Sequence, residues 1–352
     1  MNLLDPYTIK GFLKYLQISD LIACAYTCKE IYDLTTHEII WNNICNEIND
    51  HIMLHFKNST LYSGFSLYNI YANKINNLIK FKEKLNLKYS TEELFYLNKL
   101  YLDSNKLLEI PHEIGHLNNL RYLNLNNNKL TIIPKEISQL YNLRQLKISS
   151  NKLSVLPKEI GNLFNLVELD LSINQLEELP GIERLISLQK LCLFNNKLNI
   201  FPKEICHLYN LKYLDMPNNN IKYIPGDIRK LVNLQELWLS NNNINKIPWE
   251  ILYLTSLKIL HLEKNKIAEI ISEIKYLMSL IELDLSDNKI KHIPKEISFL
   301  KKIEYIRLAK NEIKKIPNEI NQILSLQDLD LTQNHITELP KHLLHMKNII
   351  II

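Results

Sequence analysis

Glycine is scarce in this sequence, with only 6 residues in a chain of 352. Loops that cradle phosphate groups need clustered glycines so that the backbone can approach the ligand closely. The sequence therefore predicts no such loop. No apolar run approaches the length of a membrane-spanning helix, and Asp5, Pro6 and Lys10 interrupt any apolar stretch at the start. We accordingly expect neither a membrane span nor a secretory signal.

Cysteine is also sparse, and its 5 residues are an odd number without C-x-x-C spacing. Reduced thiols in the cytoplasm or the nucleus fit this usage better than a disulfide framework does. The heavy use of asparagine, isoleucine and lysine is typical of an AT-rich genome. If the source is a virus, the expected location is the cytoplasm of the host cell.

An excess of charge of one sign is lacking as well. The 42 lysines and arginines nearly balance the 38 acidic residues and leave a net charge of +4. Lysine and glutamate are interspersed along the chain, so the charge pattern does not require a polyanionic partner. Nucleic acid is therefore not an expected partner.

What the sequence does contain is a repeat of 23 residues, spelled L-x-x-L-x-L-x-x-N-x-L-x-x-L-P-x-x-I-x-x-L-x-x. Its asparagines are 23 residues apart, except for one step of 22 residues from Asn174 to Asn196. The series is Asn105, Asn128, Asn151, Asn174, Asn196, Asn219, Asn242, Asn265, Asn288, Asn311 and Asn334. Fixed self-similarity at this length indicates a solenoid, in which stacked repeats share one core and one ladder of parallel strands.

The asparagine and the proline of the template have separate physical reasons. The asparagine amide offers two donors and an acceptor to backbone groups that the turn after the strand leaves unpaired. The proline is expected on the outer face, where no ladder needs its missing N–H, and Ile271 is its single replacement. The repeat of 22 residues loses its residue between Pro180 and Leu185, so the outer loop should tighten there.

This spelling resembles the leucine-rich repeat family. The resemblance implies an α/β fold, a leucine-rich-repeat horseshoe solenoid with a concave parallel β-sheet. Residues 91–352 would form it as eleven repeats and a truncated twelfth, which opens at Ile349. Residues 46–90 are expected to be a helical linker that covers the open end of the first repeat. Ser90, with Glu93 three residues later, predicts a capping box at the start of one more short helix.

Residues 1–45 have apolar positions at helical spacing and resemble the F-box, a small all-α module. F-boxes dock onto the Skp-type adaptor of cullin–RING ubiquitin ligases. The resemblance implies these adaptor-docking residues: Pro6, Ile9, Phe12, Leu13, Leu16, Leu21, Cys28 and Trp41. Asp5, Thr8 and Ile31 depart from the family pattern. An ordinary helical cap on the first repeat is the alternative interpretation of the same segment.

Alternation along each strand should place the residues between the leucines on the concave face. Most of these residues are polar, as expected for a solvated surface. One region from four consecutive repeats is instead rich in apolar and aromatic residues, and exposed aromatic clusters are typical of binding hot spots. The predicted partner-binding residues are Cys192, Phe194, Tyr213, Pro217, Trp238, Ile259 and His261.

One catalytic motif also occurs, because His112–His116 spells the H-E-x-x-H of zinc peptidases. The repeat template accounts for it, since Lys135 and Gln139 fill the two histidine positions in the next repeat. Glu113 is then a residue of the convex surface. We therefore predict no catalytic residue, no metal ligand and no cofactor.

The sequence as a whole predicts a non-enzymatic, cytoplasmic protein-interaction protein. The F-box resemblance makes it a substrate-recognition adaptor of a Skp–cullin–F-box ubiquitin ligase, with an unknown protein target on the concave face. The rival hypothesis is a leucine-rich-repeat scaffold in intracellular signalling that recruits no ligase. The L-P-x-x-I spelling supports the rival, because it is similar to the repeats of Ras-regulating and cell-polarity scaffolds.

Overall fold

A computed structural model describes residues 64–338 and 349–350 of the chain. The described residues divide into two compact units. The first contains residues 64–97 and 113–119, and the second contains residues 98–112, 120–338 and 349–350.

The first unit contains two α-helices, α1 (Gly64–Lys84) and α2 (Thr91–Tyr96). The predicted capping box is confirmed, since the Ser90 hydroxyl accepts from the Glu93 N–H and the Glu93 carboxylate accepts from the Ser90 N–H. The two helices are held by a small apolar core in which Leu78, Phe81 and Leu94 are fully buried. The helical texture predicted for the second half of residues 46–90 is therefore present where the chain is described.

The second unit is built on a parallel sheet whose twelve described strands follow one another in chain order. The strands are β1 (Lys99–Tyr101), β2 (Tyr122–Asn124), β3 (Gln145–Lys147), β4 (Glu168–Asp170), β5 (Lys190–Cys192), β6 (Tyr213–Asp215), β7 (Glu236–Trp238), β8 (Ile259–His261), β9 (Glu282–Asp284), β10 (Tyr305–Arg307), β11 (Asp328–Asp330) and β12 (Ile349–Ile350). Each strand pairs with equivalent residues of the next repeat, as Leu214 does with Leu237. The predicted parallel-sheet solenoid is thus confirmed.

The outer side of the repeats consists of short 3-10 helices, not α-helices. They span His112–His116, Lys135–Gln139, Lys158–Asn162, Ile182–Arg184, Lys203–His207, Gly226–Lys230, Trp249–Tyr253, Ser272–Tyr276, Lys295–Phe299 and Asn318–Gln322. Pro157 and Pro248 show how most of them begin, with a proline immediately before the first helical residue. One isoleucine per helix, such as Ile160, points inward and is fully buried.

The asparagine side chains bond to backbone groups at the turn after each strand, as predicted. The amide nitrogen of Asn242 donates to the carbonyl oxygens of Met216 at 3.1 Å, Leu239 at 3.1 Å and Ser240 at 3.2 Å. Its amide oxygen accepts from the N–H of Ile221 at 3.0 Å. One side chain therefore satisfies backbone groups in two adjacent repeats, and the pattern recurs along the unit.

The repeat of 22 residues is shortened on the outer side, as predicted. Its 3-10 helix, Ile182–Arg184, has three residues, whereas the helices of the neighbouring repeats have five. Gly181 begins it with a left-handed φ of 82°. A Cβ on Gly181 would lie 2.2 Å from the carbonyl oxygen of Lys158, and one on Gly161 would lie 2.3 Å from that of Gly181. Two glycines therefore permit the backbones of these repeats to approach closely.

Candidate protein-binding face

The sheet presents one ordered surface, which we call the sheet face and define as the first and third residues of β1–β11. The middle residue of each of these strands is a fully buried leucine or isoleucine, as Leu237 is in β7. Alternation along the strand therefore turns the first and third residues away from the core. This is the surface that the sequence predicts to be concave.

The predicted partner-binding residues gather on consecutive repeats. Tyr213, Trp238 and Ile259 belong to β6, β7 and β8, while Phe194 and Pro217 follow β5 and β6 two residues after each strand ends. All five are half-buried. They are consequently available in part to a partner, and binding by them stays a prediction.

Cys192 and His261 differ from the expectation that they are exposed. Only 9% of Cys192 and 8% of His261 is accessible. The Trp238 indole covers His261, with the ring centroids 4.1 Å apart. Burial raises the pKa of the Cys192 thiol to about 12, and the carboxylates of Asp170 and Asp215 add to this effect. Cys192 is therefore held as a protonated thiol and is poorly suited to direct contact or to nucleophilic chemistry.

Hydrogen bonds orient the rings of Trp238 and His261. The Trp238 indole N–H donates to a Glu236 carboxylate oxygen at 3.2 Å. The Nε2 atom of His261, on which Trp238 stacks, lies 3.0 Å from the carboxylate of Glu282, which is also paired with Arg307. Burial opposes the charge on Glu282, but its hydrogen bonds with Arg307 and His261 hold the pKa below its ordinary value. Trp238 is thus held in one orientation, and a partner that bound it would meet a lower entropy cost.

One described group on this surface has the residue types of a cation site. The potential ligand atoms of His261, Glu263 and Asp284 lie within 4.8 Å of one another. Contacts within the protein account for much of this arrangement. His261 Nδ1 lies 3.8 Å from a Glu263 oxygen, and an Asp284 oxygen accepts from the Ser286 N–H at 2.9 Å. We assign no metal to this group.

The H-E-x-x-H segment does not have the helix that a zinc peptidase requires. His112–His116 is a 3-10 helix, in which residues four apart are rotated by about 120° from each other and do not share a face. Glu113 is not a surface residue, contrary to the expectation, because it is 2% exposed and its carboxylate lies 2.6 Å from the Lys84 ammonium. Its partner comes from α1, outside the repeat pattern, so the template could not indicate it.

Sequence reasoning missed a second feature of the sheet face, which is its acidity. The first and third residues of β1–β11 include eight carboxylates and four lysines or arginines. The signal was available in the sequence, because the acidic residues occupy fixed positions of the repeat. It was hidden by the interspersed lysines of the other surfaces.

The predicted adaptor-docking residues lie outside the described residues. They are Pro6, Ile9, Phe12, Leu13, Leu16, Leu21, Cys28 and Trp41. Among the described helices, none combines the length and the apolar character that crossing a membrane requires.

The chain belongs to the leucine-rich repeat family. A family described as a leucine-rich repeat region matches residues 81–201 and 192–303, and a leucine rich repeat family matches residues 278–336. No curated protein matches the sequence. Proteins with this repeat mediate protein–protein interaction, and the fold is typical of non-enzymatic binding scaffolds.

Solved structures of similar chains include a plant peptide hormone receptor, RGFR1, in complex with RGF2. It is 31% identical over 73% of this chain and 47% of its own, with a TM-score of 0.60. The functional domain of InlJ from Listeria monocytogenes is 23% identical over 74% of this chain and 54% of its own, with a TM-score of 0.64. A Leptospira interrogans leucine-rich repeat protein is 35% identical over 73% of this chain and 84% of its own, with a TM-score of 0.46. The chain thus spans about half the length of the plant and listerial proteins.

Proposed function

We propose that this protein is an adaptor that holds a protein target on its sheet face. The observation that carries the proposal is the half-buried pair Tyr213 and Trp238 on adjacent strands, with the Trp238 indole fixed by Glu236. Pre-oriented aromatic residues that keep part of their surface exposed are typical of binding hot spots. The likeness to a plant receptor that was solved in complex with RGF2 supports a binding role.

We further propose that residues 1–45 recruit a cullin–RING ubiquitin ligase by docking onto its Skp-type adaptor. The support is the resemblance of this segment to the F-box and its position ahead of a repeat array. In this proposal residues 46–90 link the two modules, residues 91–352 select the target, and the protein acts in the cytoplasm or the nucleus. The ubiquitin transfer itself would take place on the other ligase subunits.

A capture experiment with purified Skp adaptor tests the ligase role. We expect the full chain to retain the adaptor, and Leu13→Asp to reduce capture by about tenfold or more, because a carboxylate would enter an apolar contact. The matched control is Leu324→Asp, which makes the same change at a residue that is 95% exposed in the repeats. Equal capture by both variants, or none by the full chain, would contradict the ligase role.

The second candidate function is a signalling scaffold without a ligase. The L-P-x-x-I spelling of the repeats favours it, because this spelling is similar to that of intracellular scaffolds. Failure of the full chain to bind the Skp adaptor, with target binding on the sheet face retained, would favour this function over the adaptor.

A further inference from the structure

The sheet face and the whole chain carry charge of opposite sign. The first and third residues of β1–β11 have eight carboxylates against four basic residues, which gives a net charge of −4. The chain as a whole has a net charge of +4. Composition alone therefore conceals an acidic surface on a basic protein, and a local field of this kind selects partners by charge.

The negative charge is concentrated on β4–β9. These six strands contribute six carboxylates and one lysine to the sheet face. The lysine, Lys190, lies 3.7 Å from Glu168, which is also 3.7 Å from Lys147 on β3. Arg307 on β10 is paired with Glu282. Three of the four basic residues of the sheet face are thus already paired with carboxylates.

Three carboxylates in the middle of the region form no salt bridge with another described residue. Asp170, Asp215 and Glu236 come from β4, β6 and β7, and no described basic group lies within 4.0 Å of any of them. Burial and the negative charge of Asp170 raise the pKa of Asp215 to about 6. Lys190 acts on Asp215 from beyond salt-bridge distance and partly opposes this shift, so the three groups still lack the close ion pair that an incoming cation would supply.

The same region presents aromatic faces beside these carboxylates. Tyr213 and Asp215 are the first and third residues of β6, and Glu236 and Trp238 are those of β7. The Lys190 ammonium lies 5.0 Å from the centroid of the Tyr213 ring, so this ring can contact a cation. Carboxylates next to aromatic rings fit side chains with an apolar stem and a cationic end.

We propose that β4–β9 of the sheet face binds an extended, lysine- or arginine-rich segment of a partner protein. Its cations pair with Asp170, Asp215 and Glu236, and its side-chain stems lie on Tyr213 and Trp238. The proposal rests on the proposed function and specifies the chemistry of the target. Six strands about 4.8 Å apart span about 24 Å, which an extended segment crosses with about seven residues. The acidity of this surface disfavours polyanions such as nucleic acid.

The first test measures binding of two labelled peptides to the full chain by fluorescence anisotropy. One probe alternates lysine and serine over about 12 residues, and the other has glutamate in place of lysine, so both exceed the proposed contact length. We expect the lysine peptide to bind and its affinity to fall several-fold between about 50 mM and about 300 mM NaCl. Failure of the lysine peptide to bind, or tighter binding of the glutamate peptide, would overturn the proposal.

Charge-matched variants then locate the contact. The first combines Asp170→Asn, Asp215→Asn and Glu236→Gln on the sheet face. The second combines Glu136→Gln, Glu159→Gln and Glu204→Gln on the outer side and changes the net charge equally. We expect the first variant to weaken binding of the lysine peptide by about tenfold or more and the second by less than about twofold. Equal losses would show a general charge effect and would overturn the site.

A selection from a random peptide library separates this proposal from the proposed function. The full chain and its Trp238→Ala variant are the baits. If the selected peptides are basic and no longer bind the Trp238→Ala variant, both the binding role of the sheet face and the basic partner are supported. If the selected peptides depend on Trp238 but have no excess of basic residues, the sheet face remains the binding surface and the proposal of a basic partner is overturned. No enrichment, or enrichment insensitive to Trp238→Ala, would overturn both.

Discussion

Asn242 connects the backbone of two adjacent repeats through a single side chain. Its four hydrogen bonds replace water for groups that the repeat buries, and the residue is 8% exposed. An unsatisfied buried group costs about 1–3 kcal/mol, whereas a bond that water can replace contributes less. The contribution of each asparagine to the free energy of unfolding therefore depends on how deeply its repeat buries the groups that it bonds.

We expect Asn242→Ala to lower the free energy of unfolding by about 2–4 kcal/mol, because several backbone groups lose their partner at once. Urea titration followed by circular dichroism measures the change. Asn105→Ala is the control, since Asn105 is exposed in the first repeat and its amide makes, among the described residues, one hydrogen bond, to the Asp103 carbonyl oxygen. Equal destabilisation by the two variants would show that the ladder does not carry this energy.

Asp215 makes the stability of the repeats depend on pH. Burial first, and then repulsion by Asp170, raise its pKa to about 6 in the folded protein, while Lys190 partly opposes the shift. A carboxyl whose pKa is raised by folding favours the folded state when protonated. That contribution is complete below its unfolded pKa of about 3.9 and is lost as the pH rises through about 6.

We therefore expect Asp215→Asn to stabilise the protein at pH 7.5 and to have little effect near pH 4, where the aspartate is itself largely neutral. The gain at pH 7.5 should be about 1 kcal/mol, because solvent screens a side chain that remains partly exposed. Urea titrations of both proteins at the two pH values measure it. A gain that is the same at both pH values would exclude a titration of Asp215 as its cause.

At the scale of one element, the shortened 3-10 helix depends on Gly181. Any other residue there would have to adopt a left-handed backbone φ of 82°, and its Cβ would lie 2.2 Å from the Lys158 carbonyl oxygen. Backbone atoms of the neighbouring repeat cannot move aside as the end of a flexible side chain can. The single-residue deletion is therefore compatible with the stack only because glycine occupies this position.

We expect Gly181→Ala to lower the free energy of unfolding by at least about 2 kcal/mol, from backbone strain together with the clash. Thermal unfolding of the purified variant measures the loss. Gly226→Ala is the control, because the three atoms nearest to its Cβ would belong to the Glu250 side chain, with Oε1 at 2.7 Å. That side chain can turn aside, so the control should change stability by less than about 1 kcal/mol. Similar losses in both variants would contradict the role of Gly181.

At the scale of the whole molecule, the features that recur in every repeat could be predicted from the sequence. The order of the strands, the ladder of asparagines and the shortened turn after Pro180 all follow from a period that each repeat restates. Leu237 is buried for the same reason as Leu214 and Leu260, so one correct interpretation serves all of them. The family match then agrees with this pattern.

Contacts that depend on side chains differing from one repeat to the next could not be predicted in this way. His261 is covered because Trp238 occupies the equivalent position one repeat earlier, and most repeats have no indole there. Glu113 is buried against Lys84, which lies 29 residues earlier and outside the repeats. Both contacts join side chains from different parts of the chain, and periodicity alone does not indicate which of them meet.

The register of the sheet determines how this protein can change in length. Glu168 pairs with Lys190, 22 residues later, while Lys190 pairs with Tyr213, 23 residues later, and the strands stay aligned across both steps. A residue gained or lost on the outer side is therefore absorbed there, as it is at Gly181. Loops on that side can diverge during evolution, or be altered by an engineer, while the order of side chains available to a ligand stays the same. Duplication of a whole repeat would likewise add one row to that order and leave every other row in place.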